Sequence, residues 1–495
     1  MILSKNNLQK INAPGFQLPG ESIFDLPEKV LQFGTGVLLR GLPDYYIDKA
    51  NRQGLFNGRI VVVKSTDTGL TIEFDRQDSL YTIYSKGFEN GQEVEEQIVC
   101  SSISRVLTAA TDWAAILDVA KSPDLQVIIS NTTEVGIQLV TEDITKQIPV
   151  SYPGKLLAVL LARYRAFNGA PNSGLVIIPT ELIVDNGNKL KAIVLKLAQL
   201  NNFETAFINW LKDSNHFCNS LVDRIVPGKP DKQVAESLNK SRGYLDDLNI
   251  MSEIYSLWAI EGDSYVTTIL SFSKADRGVV ITPDIDLFRE LKLRLLNGSH
   301  TLSCAVAILS GFNTVKEAMD DAGFSGFITR LAFREIIPAI PYAIDQQVAE
   351  DFAGKVLDRF RNPHIRHEWI SISMQYSAKI KMRVIPLLLN HYKHNPSVPE
   401  AMALGFACFI GLMKISQNAD GSFTGSANGR EYKITDSQAD YFAKIWQLGD
   451  EDVVVRAILK NQELWDADLT ELPGFADAVT ADLKKIKTGK PLETL

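Results

Sequence analysis

Four short runs of aliphatic residues, separated by stretches of helical spacing, constrain this chain of 495 residues more than any other feature. They are Lys29-Val30-Leu31-Gln32-Phe33, Ile60-Val61-Val62-Val63, Val127-Ile128-Ile129-Ser130 and Leu175-Val176-Ile177-Ile178-Pro179. Continuous apolar runs suit strands that are buried on both faces. Helical patterns lie between them at Val37–Ala50, Trp113–Ala120 and Lys155–Phe167. Strands alternating with helices predict an α/β fold, a doubly wound and mostly parallel sheet. Tyr81–Val99 departs from the pattern and reads as an antiparallel hairpin, with Glu89-Asn90-Gly91 at its turn. Residues 1–28 read as an irregular arm.

Beyond Asp284 helical spacing takes over, across 285–350 and 352–415, with Pro and Gly breaks. Two domains are expected: residues 1–284 as a Rossmann-type dinucleotide-binding domain, and 285–495 as a mainly helical substrate and catalytic domain. Asp420–Lys433 is polar and Gly-rich, which predicts a surface loop or hairpin. The longest strongly apolar run, Ala401 to Met413, falls short of the roughly 20 residues that span a bilayer and predicts a buried helix. The first residues, MILSKNNLQKINAPG, lack the apolar stretch of a signal peptide. The four cysteines, Cys100, Cys218, Cys304 and Cys408, are far apart, as expected of reduced thiols in a cytoplasmic protein. A net charge of -8 argues against nucleic acid as a partner. No membrane partner is expected either.

The first run leads into Gly34-Thr35-Gly36 and then a helical pattern. This is the layout of a dinucleotide site: one glycine for the tight turn, one for close approach to a pyrophosphate, and a helix N-terminus facing the phosphates. A third glycine is absent, because position 39 is Leu. A plain strand-to-helix turn is the alternative. After the second run, Asp67 suits ribose hydroxyls and hence NAD, whereas Lys64 and Ser65 suit the 2′-phosphate of NADP. Asn131-Thr132-Thr133-Glu134 follows the third run at the carboxyl end, where ligands bind in open α/β sheets. An ordinary helix N-cap is the other reading.

A second signal lies in Leu291–Leu302. At 100° per residue, with Lys292 at zero, Asn297 falls near 140° and His300 near 80°. A lysine, an amide and an imidazole on one half of a helix suit reduction of a carbonyl. Its oxygen needs hydrogen-bond donors while hydride arrives and a proton at the end. A solvated helix face is the competing reading. His364 and His367 are three apart, as are His391 and His394, but no carboxylate or cysteine completes a ligand set, so no metal is expected.

Lys292, Asn297 and His300 fit a K-x4-N-x2-H signature, and with it the chain resembles the polyol-specific long-chain dehydrogenases, the mannitol dehydrogenase family. Gly34-x-Gly36-x3-Arg40, Glu181-Leu182-x3-Asn186-Gly187, Asn219–Pro227, Trp258-x-Ile260-Glu261 and Arg361-Asn362-Pro363 agree, so that the resemblance runs from residue 29 to 460. The stretches QFGTGVLLRGLPDYYIDKAN, SNTTEVGI and PTELIVDNG look most like members that act on a hexuronate.

The resemblance implies a metal-independent, reversible reduction of a small keto hexuronate with NAD as cofactor, NADP staying open. It implies that the active site lies between the two domains. Lys292 would be the general acid in reduction and the base in oxidation. Asn186 and Asn297 would hold the reacting oxygen, and His300 would orient the substrate and the lysine. Lys379 matches a basic substrate position, with Lys381 and Arg383 near it for a carboxylate, and His367 lines the pocket. Phe33, Gly34, Thr35, Gly36, Arg40, Asp67, Asn131, Thr132 and Glu134 would bind the cofactor. Where some members carry a glutamate three residues before the lysine, this chain has Arg289, with Glu290 beside it. A related hexuronate, a neutral ketose and a catalytically silent nucleotide-binding protein are the alternatives. A monomer or small homo-oligomer is expected.

Overall fold

The apolar runs do form one parallel sheet, and its strand order locates the crevice where a ligand can bind. The computed structural model describes residues 1–65, 71–132, 136–488 and 491–494. Six strands line up in it: β1 (Glu28–Phe33), β2 (Arg59–Lys64), β3 (Ile103–Thr108), β4 (Val127–Ser130), β5 (Val176–Pro179) and β6 (His216–Phe217). Their order is β3-β2-β1-β4-β5-β6, and every neighbouring pair is parallel. The order reverses between β1 and β4, so the crevice of a doubly wound sheet opens beyond the carboxyl ends of those two strands. β3 carries Ser104 and Arg105 among its apolar residues, and β6 has two residues. Neither stands out as an apolar run.

Side chains alternate strictly across this sheet. Val30, Ile60, Val62, Val127, Ile129, Val176 and Ile178 pack on one face. Leu31, Phe33, Val61, Val63, Ile128, Leu175 and Ile177 pack on the other. Each such side chain contributes about 1.5–3 kcal/mol on burial. The helix predicted from Lys155 begins earlier and spans Tyr152–Ala166, because the Ser151 hydroxyl accepts the Gly154 N–H and Pro153 suits the first turn.

The chain separates into two units, Met1–Lys86 with Glu93–Ile285, and Gly87–Gln92 with Asp286–Leu495. The hairpin has strands Tyr81–Glu89 and Gln92–Cys100. Asn90 and Gly91 link them, both at positive φ (53° and 75°), as a type I′ turn requires. The arm is more ordered than its sequence suggests. It has short helices at Lys5–Lys10 and Glu21–Asp25. Leu3, Leu8 and Ile11 pack with Leu80, Val99 and Tyr244.

The second unit is helical, apart from a small sheet that includes the hairpin Phe423–Ala427 and Arg430–Ile434. The helix Glu400–Leu412 is buried almost all round and forms the centre of its core. Among the described residues three helices contain a stretch of π-helix: Lys292–Gly298, Leu331–Ile336 and Ile380–Val384. Such wide turns are rare and collect at functional sites. Two of the three run directly into a proline-bearing turn, at Pro338 and Pro386. A proline inside an α-helix removes one hydrogen bond and clashes with the carbonyl four residues back, and a wider turn relieves both.

Candidate functional site

In the first unit a cavity of about 480 Å³ opens at the switch point. Gly34, Thr35 and Gly36 line it after β1, Ser65 after β2, and Asn131 and Thr132 after β4. Gly34 has φ +129°, and a Cβ there would meet the Asn131 carbonyl oxygen at 2.8 Å. Its N–H donates to Val63 O (3.0 Å), while the Asn131 N–H donates to Phe33 O (3.1 Å). The glycine turn is thus stitched to both neighbouring strands. Asn131 Nδ2 donates to Thr180 O and Oγ1 (3.1 and 2.9 Å), and Thr132 N and Oγ1 donate to Glu181 Oε1 (2.9 and 3.0 Å). Burial pushes the Glu181 carboxyl up, against the hydrogen bonds it accepts.

The cavity fits a dinucleotide. Gly34 makes the tight turn, a Cβ on Gly36 would meet only open space, so that a pyrophosphate can approach the backbone there, and the buried Ser65 hydroxyl, without a partner among the described residues, borders the same cavity. Tyr152 and Lys155, from the first turn of Tyr152–Ala166, also border it. Sequence reasoning missed both, since they lie about 20 residues beyond β4. Lys155 is 5% exposed and donates to Val150 O (2.7 Å).

Three of the expected residues have their side chains engaged within the protein. Phe33 is fully buried, its ring 5.2 Å from that of Tyr152, so its side chain belongs to the core. Arg40 is wedged inside, over the rings of Phe74 and Tyr81, with Nη1 donating to Leu248 O (2.5 Å). It holds structure there and does not line the cavity among the described residues. Asn186 is the third. It is fully buried, and its Nδ2 donates to Pro179 O, Glu181 O and Ser220 O, all at 3.0 Å. Its Oδ1 accepts Gly187 N and Ser220 N, both at 2.9 Å. Two amide hydrogens already serve three carbonyls, so none is left for a reacting oxygen. Asp67 and Glu134 lie outside the described residues.

In the second unit, Lys292 and Asn297 share one π-helical segment, and His300 starts the helix that continues it, Ser299–Ser310. The 100° wheel does not apply here. Hydrogen bonds from i to i+5 advance each residue by roughly 80°, which moves Asn297 from the flank of Lys292 to within roughly 50° of it. The wide turn therefore narrows the arc that the three groups share. Lys292, Asn297 and His300 are all half-buried.

His300 stacks on Phe360 (ring centroids 3.9 Å apart) and meets His367 (5.2 Å) and Trp369 (5.8 Å) edge-on. Its Nε2 is buried without a partner among the described residues. Burial holds the imidazole well below its usual pKa, helped by His367, Arg359, Arg383 and Lys379 around it. His367 is pushed down the same way. Lys379 donates to Ile372 O (2.7 Å), and burial and Arg383 lower its pKa. Arg383 Nη1 donates to Thr301 Oγ1 (3.2 Å), its Nε is buried without a partner among the described residues, and burial lowers the guanidinium's pKa to about 10. The predicted His300, His367, Lys379 and Arg383 thus come together, and Arg359 and Phe360 join them unpredicted. Arg289 pairs with Asp286, and Glu290 with Arg294. Among the described residues no group of three or more His, Cys, Asp or Glu could hold a metal, the four cysteines are unpaired and buried, and no helix is long and apolar enough to cross a membrane.

A doubly wound sheet with a glycine turn of this kind at its switch point defines a dinucleotide-binding protein. Residues 28–274 match the mannitol dehydrogenase Rossmann domain, and residues 284–487 the mannitol dehydrogenase C-terminal domain. The chain is 37% identical to an altronate oxidoreductase of Bacillus subtilis and 38% identical to one of Halalkalibacterium halodurans. These alignments cover 93% of this chain, and 93% and 91% of the respective relatives. Among solved structures, a D-sorbitol dehydrogenase superposes with TM-score 0.80 at 21% identity, over 99% of both chains. Mannitol 2-dehydrogenase of Pseudomonas fluorescens, in complex with NAD and D-mannitol, gives 0.68 at 23% identity, over 100% of this chain and 99% of that one. The chain belongs to the mannitol dehydrogenase family and is a nicotinamide-dependent oxidoreductase acting on CH–OH groups.

Proposed function

We propose that this chain reduces D-tagaturonate to D-altronate, reversibly, with NADH, as a step of hexuronate catabolism. The observation that carries the choice of a sugar acid is the cationic pocket of the second unit. Lys379, Arg383 and Arg359 surround His300, and two buried nitrogens there, Arg383 Nε and His300 Nε2, have no partner among the described residues. A substrate carboxylate supplies the acceptor and the charge that such a pocket matches. The altronate oxidoreductases at 35–38% identity support the same substrate.

Lys292 gives its proton to the alkoxide oxygen in reduction and takes it back in oxidation. Asn297, on the same wide turn, donates to that oxygen and steadies its charge. The neutral imidazole of His300 hydrogen-bonds a substrate hydroxyl. Lys379 and Arg383 grip the carboxylate, and His367 walls the pocket. NADH, when bound, supplies the hydride. Gly34, Thr35, Gly36, Asn131 and Thr132 shape its cavity. NAD is favoured over NADP because, of the two residues that suit a 2′-phosphate, Lys64 is buried at the end of β2 and only Ser65 lines the cavity among the described residues. The chain works as a monomer or small homo-oligomer in the cytoplasm.

The test is a panel of D-tagaturonate, D-fructuronate and D-fructose, each with NADH and NADPH. The highest kcat/KM is expected for D-tagaturonate with NADH. A higher value for D-fructuronate or D-fructose overturns the assignment.

A further inference from the structure

Two residues beyond Lys292, on the same π-helical segment, Arg294 is 6% exposed and donates in three directions. Its Nε donates to Glu290 Oε2 (2.9 Å). Its Nη1 donates to the main-chain carbonyls of Met382 (2.8 Å) and Arg383 (3.1 Å). Both carbonyls belong to another π-helical segment, Ile380–Val384. In an α-helix the Met382 carbonyl would accept from residue 386, but that residue is Pro386 and has no N–H. Arg294 thus donates from outside the segment to a carbonyl that Pro386 cannot serve.

A second link runs between the same two segments. Arg383 Nη1 donates to Thr301 Oγ1, which in turn donates to Asn297 O (2.7 Å). Arg383 is therefore held at both ends by the helix of Lys292, its backbone carbonyl by Arg294 and its guanidinium by Thr301.

We propose that Arg294 is a positioning residue. It fixes the backbone at 382–383, and so aims Arg383 at the substrate carboxylate from a frame that also carries Lys292. This rests on the proposed carboxylate role of Arg383. A fork with fixed geometry can serve Glu290 and both carbonyls together. A lysine carries its three N–H groups on one nitrogen at the end of a flexible stem and does not reproduce that fixed fork.

The experiment measures KM and kcat of Arg294→Lys, Arg294→Gln, Arg383→Met and the double variant Arg294→Lys/Arg383→Met, on D-tagaturonate and on the neutral ketose D-tagatose. The KM for NADH and the melting temperature are recorded alongside. Arg294→Lys and Arg294→Gln are expected to raise the KM for D-tagaturonate about tenfold, leaving the NADH KM and kcat/KM on D-tagatose within about threefold. In the Arg383→Met background, Arg294→Lys is expected to add nothing further. An unchanged KM for the acid, equal losses on both substrates, additive losses in the double variant, or failure of both Arg294 variants to fold overturns the inference. A wild type that does not prefer the acid to D-tagatose, or an Arg383→Met variant as good on the acid as wild type, defeats the carboxylate reading itself, and the inference with it.

Discussion

The Asn131 carbonyl oxygen stands 2.8 Å from the point where a Cβ on Gly34 would lie. One atom's width on the carboxyl end of β1 therefore decides whether the turn can exist. Gly34→Ala meets this clash and also places an L residue at φ +129°. The expected result is at least a tenfold loss of NADH affinity, read by quenching of nucleotide fluorescence, with a stability loss of about 1–3 kcal/mol. Unchanged affinity would show that the pyrophosphate binds elsewhere.

Asn186 is expected to stabilise the fold and to have no part in holding the reacting oxygen. Asn186→Ala strands the N–H groups of Gly187 and Ser220 and three carbonyls, a cost of about 2–5 kcal/mol. A melting temperature several degrees lower is expected, with kcat per folded molecule falling far less than in Asn297→Ala. A normal melting temperature with a collapsed kcat would restore Asn186 to the reaction.

How legible the site was in the sequence follows from the scale of each signal. The strands were legible because burial on two faces leaves whole runs apolar. The glycine turn was legible because its φ excludes other residues. Lys292, Asn297 and His300 stood out through spacing, although the wheel misplaced Asn297, since nothing in KLRLLNGSH announces a π turn. The other two wide turns do have a local cause, in Pro338 and Pro386. The side chains of Phe33, Arg40 and Asn186 are engaged within the protein, and spacing does not announce this: a residue that knots structure beside a site carries the same mark as one that contacts a ligand within it. Arg359 and Arg294 were missed because the groups they meet, His300 and the carbonyls of Met382 and Arg383, are distant in sequence, and Lys155 because it lies well beyond the end of β4.

Stability should also depend on pH through Asp44. This carboxyl is fully buried beside Gln32 and Tyr81, and burial raises its pKa to about 7. The folded chain keeps this proton up to about pH 7, whereas the unfolded chain releases it near 4, so the folded form binds more protons between these values. Its contribution is favourable at low pH and is lost as pH rises from about 4 to about 7, on the order of 4 kcal/mol in all. Asp44→Asn abolishes that dependence. Relative to wild type it is expected to be more stable at pH 8 than at pH 5, by urea titration. A difference that does not change with pH would place the proton elsewhere.

The measurement that bears most directly on the chemistry is single-turnover reduction of D-tagaturonate by wild type and Lys292→Ala, with NADH oxidation followed at 340 nm. The variant is expected to bind NADH with wild-type affinity and to lose about 10²–10⁴-fold in the rate of hydride transfer, because the nascent alkoxide has no proton donor. A variant that oxidises NADH as fast as wild type would contradict the role given to this lysine, and with it the mechanism.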